Sequence, residues 1–525
     1  MAALDRVSPA LIAGLVLVAI VAAMVRASLA LTGGHLVYPL DDAYIHMAVA
    51  RNLAEHGVWG VTRHGFTSST SSLAWPLLLA AADAVAGSVE AMPLVLDAIA
   101  GVLCVVVASA VLGGHAFWWR LAVLSSIVLL TPLPTLVLIG MEHTLHVGAA
   151  LALAGLVART VDGEEAMPPI PLLALTAALA TSLRYESLFL VAASMALLGR
   201  HRRFRAAIAV AAAGIAPLAV YAILSVSRGW YPLPNSVLLK GARFEAATAA
   251  GLVDLLGGRS LRMLAETPHL LVLSIACLAI LALGPSRRAL PALAIVTTML
   301  HLQFANTGWL YRYEAYLVAL GLLAVGVGAP AAVAAARTAR ARGPVAIAAV
   351  AGLAGVLFYP LAERAARAVA ETPRAAKNIF DQQYQMGLFL GRFYPGAAVA
   401  ANDIGAISAL ADVRLLDLYG LASMDVARAR RAGPLDRETV GRLTAAHGTE
   451  VIAVYRSWFS QSLPPDWMEA GSWRAPEKVV VADRVVTFYA RDPAGRDRLT
   501  ANLRAYASAL PADVTVRLPG APETP

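Results

Sequence analysis

Four groups of ionisable residues stand at the edges of long apolar segments in this sequence. They are Asp41-Asp42, Glu142-His143, Arg184 with Glu186, and Arg312 with Glu314. An ionisable group near membrane depth is costly to desolvate unless it pairs or lines a wet cavity, so each group is a candidate for function. The alternative is a structural ion pair, for instance Arg184 with Glu142 or Glu186. Taken singly, each group is as consistent with pairing as with function.

The adjacent carboxylates Asp41 and Asp42 follow the first apolar run. A carboxylate in this place can act as a general base or bind a divalent cation. It can equally cap free N–H groups at the start of a helix. The two roles are compatible, because one carboxylate can cap while the other faces a site. No ligand spacing in the sequence demands a metal, so we expect no obligate cofactor, although the pair is compatible with a divalent cation.

Lys240 follows Pro234-Asn235-Ser236 in another polar segment. A lysine at the rim of a membrane can extend its ammonium group to water without any further role. It can also hold a lipid phosphate as a point charge. Both interpretations stay open from the residues alone.

The composition indicates a membrane protein. Of the 525 residues, 59% are hydrophobic and 14% are charged, whereas soluble domains carry about 25% charged residues. The net charge of +8 does not indicate nucleic acid, because much of it lies in short clusters between apolar runs. The clusters are 201–205, 287–288 and 337–342. Such clusters are typical of cytoplasmic loops, and they predict a cytoplasmic N-terminus.

The apolar runs predict about eleven transmembrane helices. They lie near 10–31, 91–113, 118–136, 143–160, 168–183, 187–200, 206–226, 260–284, 289–305, 313–333 and 344–362. This arrangement places all four ionisable groups, Lys240 and the C-terminal tail on the outer side, where the polar residues can converge. The first outer loop, 32–90, contains helical spacing over Asp41 to Gly57 and over Leu73 to Val85, and both segments are predicted as juxtamembrane helices.

The C-terminal part has a different composition and predicts a small α/β domain. Short strands are expected at Ala397–Ala401, Arg414–Leu416 and Val451–Tyr455, with a hairpin over Val479–Tyr489. The predicted organisation is a helical membrane domain over 1–365, an extracytoplasmic domain over 366–510, and a flexible tail over 511–525. We found no internal repeat of the kind that marks inverted-repeat transporters.

Five short motifs occur in order along the outer side. They are Asp41-Asp42-Ala43-Tyr44-Ile45, Gly140-Met141-Glu142, Arg184-Tyr185-Glu186, Pro234-Asn235-Ser236 with Lys240, and Arg312-Tyr313. In order and sidedness this set resembles the GT-C class of integral membrane glycosyltransferases, close to the arabinofuranosyltransferase B group of actinobacteria. The segments 402–405 and 417–421 resemble the extracytoplasmic domain of such proteins. Tyr185 departs from the family, which often has proline between the arginine and the glutamate.

The resemblance implies transfer of a sugar, with arabinofuranose favoured, from a polyprenyl phosphate to a glycan, lipid or other acceptor on the outer face of a bacterial plasma membrane. It implies inversion, with Asp41 as general base and Asp42 as the second candidate. Lys240, Arg312 and Arg184 are then the cations that offset the charge of the leaving phosphate. The expected substrate-binding residues are Glu142, His143, His46, Glu186, Asn235 and Tyr313.

Two other classes of function fit a polytopic protein with a polar outer rim. A transporter or flippase for a lipid-linked sugar should carry ionisable residues near the middle of the bilayer, whereas the charges here lie at one rim. A non-catalytic assembly or sensor protein would need no cavity at all. The discriminating feature is whether Asp41, Glu142, Arg184, Lys240 and Arg312 face one cavity that opens to lipid.

Overall fold

The computed structural model describes residues 8–163, 167–240, 251, 253–284, 286–338 and 344–519, and only the backbone of 240, 336–338 and 344–357. Its N-terminal part is helical. The helices are α1 (Pro9–Leu31), α2 (Asp41–His56), α3 (Ala74–Ala86), α4 (Met92–Val111), α5 (Phe117–Leu130), α6 (Leu133–Ile139), α7 (His143–Asp162), α8 (Ile170–Leu183), α9 (Ser187–Arg200), α10 (Phe204–Ser227), α11 (Asn235–Lys240), α12 (Arg259–Glu266), α13 (Pro268–Leu283), α14 (Ala289–Phe304), α15 (Ala315–Thr338) and α16 (Pro344–Ile379).

Several of these helices are long and apolar enough to cross a bilayer. Within the described residues there are five such helices, or seven if two bent pairs each count as one span. Four shorter apolar helices, α3, α8, α9 and α14, accompany them. The chain is therefore a multi-pass membrane protein, because only a helix satisfies its own backbone hydrogen bonds in lipid. The expected number of about eleven spans stays a prediction.

Two of the predicted spans are not continuous helices. The run 118–136 is divided into α5 and α6 with a bend of 43°, and the run 260–284 into α12 and α13 with a bend of 108°. Pro132 and Pro268 stand at the two breaks. Proline lacks a backbone N–H and clashes with the preceding turn, so an apolar run that contains it need not be one helix.

Both segments predicted as juxtamembrane helices are helical, and their position at the membrane stays a prediction. Helix α2 begins at Asp41 and ends before Gly57, whose φ of 66° is the left-handed conformation that commonly terminates a helix. Helix α3 covers the second predicted segment. Helix α16 continues past position 365, where the sequence predicts the boundary between two domains. That boundary stays a prediction.

The C-terminal part contains a six-stranded mixed sheet in the order β2-β1-β3-β5-β4-β6. Its elements are α17 (Gln385–Phe393), β1 (Ala398–Ala401), α18 (Gly405–Leu410), β2 (Arg414–Asp417), α19 (Met424–Ala432), α20 (Arg437–Ala446), β3 (Val451–Val454), β4 (Met468–Arg474), β5 (Val485–Ala490), α21 (Pro493–Tyr506) and β6 (Thr515–Arg517). Strands β1, β2 and β3 are parallel, and the remaining pairs are antiparallel. The small α/β domain, hereafter the tail domain, is thus confirmed.

The predicted hairpin over Val479–Tyr489 is wrong in one arm. Strand β5 pairs with β4, which lies upstream at Met468–Arg474, and residues between them form the connection. Strand β4 is interrupted by an irregular register between Glu469 and Gly471. Because a bulge shifts the alternation of side chains, this strand lacks the regular apolar pattern by which strands are recognised.

The tail domain is docked on α2 through the short helix α18. Both carboxylate oxygens of Asp41 accept backbone hydrogen bonds at the start of α18, from Gly405 N (2.7 Å) and Ala406 N (2.8 Å). At the C-terminal end of α18, the Arg51 guanidinium donates to the carbonyls of Ala409 (2.7 Å) and Ser408 (3.1 Å). An acid at the N-terminus and a base at the C-terminus of α18 satisfy free backbone groups and complement the helix dipole.

This contact leaves no room for a side chain at position 405. A Cβ on Gly405 would lie 1.9 Å from the backbone oxygen of Asp41. We predict that Gly405→Ala separates the tail domain from α2, because the backbone on both sides would have to shift. The measurement is limited proteolysis together with thermal unfolding, and we expect faster cleavage near α17 and a lower Tm. Gly433→Ala, with open space around the new methyl group, is the control. Equal protease resistance in the two variants would contradict the prediction.

Candidate active site

Two cavities meet at the first turn of α2. The bundle cavity, of about 270 Å³, lies among the membrane helices and is lined by Asp42, His46, Arg184, Glu186, Arg312 and Tyr313, among others. The interdomain cavity, of about 310 Å³, lies between α2 and the tail domain. Asp42 and Ile45 line both cavities, with Leu421 of the tail domain. The Asp42 carboxylate therefore stands at their junction.

Arg184 is held between two glutamates beside the bundle cavity. Its Nη1 lies 2.9 Å from Glu142 Oε1, and its Nε donates to Glu186 Oε2 at 3.0 Å. Loss of hydration alone would raise the pKa of Glu186, but Arg184 outweighs it and lowers that pKa to about 2. The structural ion pair considered from the sequence is thus present. It keeps a buried guanidinium compensated at the end of α8, where an unpaired charge would cost several kcal/mol (~3–5).

Glu142 is fully buried and is contacted from several sides. Ser71 Oγ donates to it at 3.3 Å, and His46 Nε2 lies 3.5 Å from its second oxygen. Burial lowers the pKa of His46, so its ring is neutral at neutral pH. A neutral imidazole on the cavity wall can both donate and accept a hydrogen bond.

Arg312 has donor capacity that the described residues do not use fully. Its Nη2 donates to Asp42 Oδ2, and its Nη1 is 3.2 Å from the thioether sulfur of Met141. Its buried Nε has no hydrogen-bond partner among the described atoms. A thioether is a weak acceptor. A phosphate oxygen that reached this guanidinium would therefore replace a poor contact with a charge-assisted one.

Tyr313 lies between the two arginines. Its ring centroid is 5.1 Å from the Arg312 guanidinium carbon and 5.8 Å from that of Arg184. Both distances are within the range of cation–π attraction. The Tyr313 ring is thus close to both guanidinium groups in the lining of the bundle cavity.

Breaks between helices position these side chains in or beside the bundle cavity. Gly140, with φ of 70°, allows the turn between α6 and α7 that presents Glu142; a Cβ there would lie 2.4 Å from the ring of Tyr38. Arg184 is extended, with φ of −147°, and separates α8 from α9. Between α14 and α15, Trp309, Leu310 and Tyr311 have left-handed backbones, which cost roughly 1–2 kcal/mol per residue. The Arg364–Glu314 pair, at 2.6 Å, holds that turn.

Asp41 faces away from the bundle cavity. Loss of hydration raises the pKa of the Asp41 carboxyl to about 7, and the Asp403 carboxylate acts in the same direction, against the two backbone N–H groups. Asp41 lines the interdomain cavity together with Asp403. A carboxyl with this pKa can exchange a proton near neutral pH. Its hydrogen bonds to Gly405 N and Ala406 N, however, are contacts that hold the tail domain on α2.

The other predicted residues have separate locations. His143 is buried, with Nε2 3.8 Å from Glu142, and it does not line either cavity. Asn235 donates from Nδ2 to the Gly420 carbonyl at 2.8 Å and so ties α11 to the tail domain. The side chain of Lys240 lies outside the described residues. Of the five residues expected to face one cavity, Arg184 and Arg312 line the bundle cavity together with Asp42, whereas Asp41 lines the interdomain cavity and Glu142 lines neither.

Sequence reasoning missed several residues. Trp309, Trp458 and Gln383 line the interdomain cavity, and no sequence pattern marks them, because their proximity depends on how the tail domain docks. Asp97 is fully buried in α4, near Glu142. An acid inside the predicted span 91–113 was a visible signal. Within the described residues, no group of three or more His, Cys, Asp or Glu is arranged to hold a metal.

Comparison with known proteins identifies the fold. ArnT from Cupriavidus metallidurans, in the structure bound to undecaprenyl phosphate, matches with a TM-score of 0.51 and 13% identity, over 92% of this chain and 98% of that chain. Its apo structure gives 0.50 with 13% identity, over 91% and 98%. The apo oligosaccharyltransferase of Archaeoglobus fulgidus has a TM-score of 0.48 with 11% identity, over 94% and 78%.

Sequence comparison is less informative. Residues 377–489 match a family described as a domain of unknown function (DUF8728). No curated protein matches the chain. The structural match with ArnT, in contrast, shows that the chain has a GT-C-type fold, as the ordered motifs imply. The finer assignment to the arabinofuranosyltransferase B group stays a prediction.

The raised pKa of Asp41 predicts how stability depends on pH. The folded state holds a proton on this carboxyl over a range where the unfolded chain has lost it, so the associated stability is full at low pH and is lost as pH rises through about 7. We expect the Tm of the detergent-solubilised protein to fall more between about pH 5 and about pH 8 in the wild type than in Asp41→Asn. Asp425→Asn, at an exposed acid, serves as control. Parallel Tm curves for wild type and Asp41→Asn would refute the assignment.

Proposed function

We propose that this chain is an integral membrane glycosyltransferase that moves a sugar from a polyprenyl phosphate to an acceptor hydroxyl on the outer face of the membrane. The observation that carries the proposal is the position of Asp42, which lines both cavities and contacts Arg312. A transferase needs a donor site and an acceptor site that meet at a proton acceptor. The junction of the two cavities has this arrangement.

The bundle cavity suits the donor. Its lining contains Arg184 and Arg312 together with apolar side chains, among them Leu188, Phe189 and Leu218. Cations can meet a phosphate while the apolar side chains contact a polyprenyl chain. The fold shared with ArnT, whose structure holds undecaprenyl phosphate, supports this choice of donor. Arg312 is the favoured phosphate ligand, since Arg184 already binds two carboxylates. Lys240 stays a predicted second ligand.

The reaction follows from these positions. The acceptor oxygen attacks the anomeric carbon while its proton passes to the Asp42 carboxylate, and the bond between that carbon and the phosphate oxygen breaks. Negative charge then grows on the departing polyprenyl phosphate, where Arg312 and Arg184 stabilise it. Direct displacement inverts the configuration at carbon. Asp41 remains a candidate base, but in this mechanism it positions α2 and the tail domain.

The identity of the sugar and the cellular setting rest on the motif resemblance. It favours arabinofuranose as the transferred sugar, a cell-envelope glycan as acceptor and the bacterial plasma membrane as location. A transporter is disfavoured because its ionisable residues should lie near the middle of the bilayer, whereas the sequence places the ionisable groups of this chain at one rim. A sensor function is disfavoured by the two cavities that share Asp42.

Replacing Asp42 tests the mechanism. We predict that Asp42→Asn lowers kcat by roughly 10²-fold or more, since the amide cannot accept the acceptor's proton. Turnover of a synthetic polyprenyl-phosphate sugar is the measurement, and a wild-type Tm shows that the variant is folded. Glu55→Gln, which removes an exposed acid from the same helix, should keep full activity. Normal turnover by Asp42→Asn would exclude it as the base and return that role to Asp41.

Replacing Arg312 tests the donor site. We predict that Arg312→Gln raises the donor KM and lowers kcat, because phosphate binds this group in the complex and more strongly as the leaving charge develops. The acceptor KM should stay nearly constant. Arg367→Gln, which removes an exposed arginine, is the matched control. If Arg312→Gln changed only the acceptor KM, the donor would not lie in the bundle cavity.

A further inference from the structure

The interdomain cavity opens at the carboxyl ends of the parallel strands of the tail domain. Asn402 and Asp403 follow β1, Tyr419 follows β2, and Trp458 follows β3; all four line the cavity. Strand β1 lies between β2 and β3, so the chain leaves β1 toward one side and later returns on the other. Such a reversal creates a crevice at the strand ends in which open α/β sheets bind ligands. Here the crevice faces α2.

An exposed aromatic surface stands on the tail-domain side of this cavity. The Trp458 side chain is 44% exposed although it is in the cavity lining. Its ring is supported by Tyr455, at a centroid distance of 5.4 Å, and by Tyr419 at 5.7 Å. The rings are therefore fixed by their neighbours while one face of Trp458 stays available to a ligand.

A second exposed tryptophan comes from the membrane domain. Trp309 is 53% exposed and lies in the left-handed turn from Gly308 to Tyr311. The turn is held by a hydrogen bond from Gly308 N to Glu314 (2.7 Å) and by one from Arg364 to the Tyr311 carbonyl (2.7 Å). Strained backbone that the surroundings hold in place is concentrated at functional sites. Here it keeps a large, half-exposed ring in the lining of the interdomain cavity.

The polar lining consists of planar acceptor and donor groups. Asp403 Oδ2 accepts a hydrogen bond from Gln383 Nε2 at 2.8 Å and one from the Tyr455 hydroxyl. Asn402 Oδ1 accepts one from Tyr455 N at 2.8 Å. None of the described lining residues is lysine or arginine, in contrast to the bundle cavity. A phosphorylated ligand would meet carboxylates here without a cation.

We propose that the interdomain cavity binds an uncharged saccharide, with sugar rings against Trp309 and Trp458 and hydroxyl groups on Asp403, Asn402 and Gln383. The faces of a sugar ring expose C–H groups, which suit the faces of aromatic rings. Its hydroxyls both donate and accept, as planar carboxylate and amide groups require. The inference rests on the proposed function in one respect: the saccharide is the acceptor, and one of its hydroxyls reaches Asp42.

This assignment also distinguishes the acceptor from an alkyl chain. An alkyl chain would leave the buried Gln383 Oε1, which has no hydrogen-bond partner among the described atoms, without a hydrogen-bond donor, and this costs free energy. Both domains therefore contribute to the proposed acceptor site, since Trp309 belongs to the membrane domain and Trp458 to the tail domain.

Binding without donor tests the inference independently of turnover. The full-length protein in nanodiscs is titrated with a panel of synthetic neutral oligosaccharides, of furanose and pyranose units, while tryptophan fluorescence is recorded. We expect at least one saccharide to quench the fluorescence with saturation. Trp309→Leu and Trp458→Leu should each weaken that binding at least tenfold. Trp118→Leu, which removes an exposed tryptophan outside both cavities, should leave Kd unchanged.

The outcomes separate the two proposals. Saturable binding that depends on both tryptophans, without any transfer from polyprenyl-phosphate sugars, would support the saccharide site and refute the proposed function. Transfer to an alkyl-chain or peptide acceptor that is unaffected by either substitution would overturn the saccharide site and leave the enzyme assignment intact. Absence of binding by every saccharide in the panel, with a folded wild-type protein, would overturn the saccharide site as well.

Discussion

The contact between Asp41 and the start of α18 is the interaction on which the functional architecture depends. Two backbone N–H groups of α18 bind the carboxylate, and Arg51 binds the opposite end of the same helix. Together they fix the tail domain against α2 over the whole length of α18. Without this contact the interdomain cavity would lose one of its walls, and Asp42 would face open solvent on that side.

Charge compensation organises the membrane side of the site. Guanidinium and carboxylate groups at the ends of membrane helices are stable there only when they are paired and hydrogen-bonded. Arg184 between Glu142 and Glu186 meets this requirement. Arg312 meets it incompletely, because one of its nitrogens contacts a thioether. The first arrangement therefore uses the guanidinium fully, whereas the second leaves donor capacity that the described residues do not use.

Much of the helical architecture was predictable because it depends on local sequence patterns. Hydrophobic runs revealed the helices, and basic clusters indicated which polar loops share a side. The convergence of Asp42, Arg184 and Arg312 followed from that sidedness. Breaks at Pro132 and Pro268 were visible residues whose effect on a long apolar run was underestimated.

What could not be predicted arises from long-range docking. Whether Asp41 or Asp42 faces the bundle cavity depends on where the tail domain binds α2. No local sequence pattern predicts that contact, because it joins residues more than 360 positions apart. Trp309 and Trp458 are 149 positions apart in the numbering and line one cavity only in the folded chain. The misplaced strand β4 has a different cause, since its bulge removed the alternation by which a strand is recognised.

The adjacency of Asp41 and Asp42 on one helix has a mechanical consequence. Successive residues of a helix are rotated by about 100° around its axis, so one carboxylate can be held by the tail domain while its neighbour faces the membrane bundle. Because the backbone between them is stiff, the two cannot be reoriented separately. A shift of the tail domain would therefore also move Asp42, the proton acceptor of the proposed mechanism, relative to the bundle cavity.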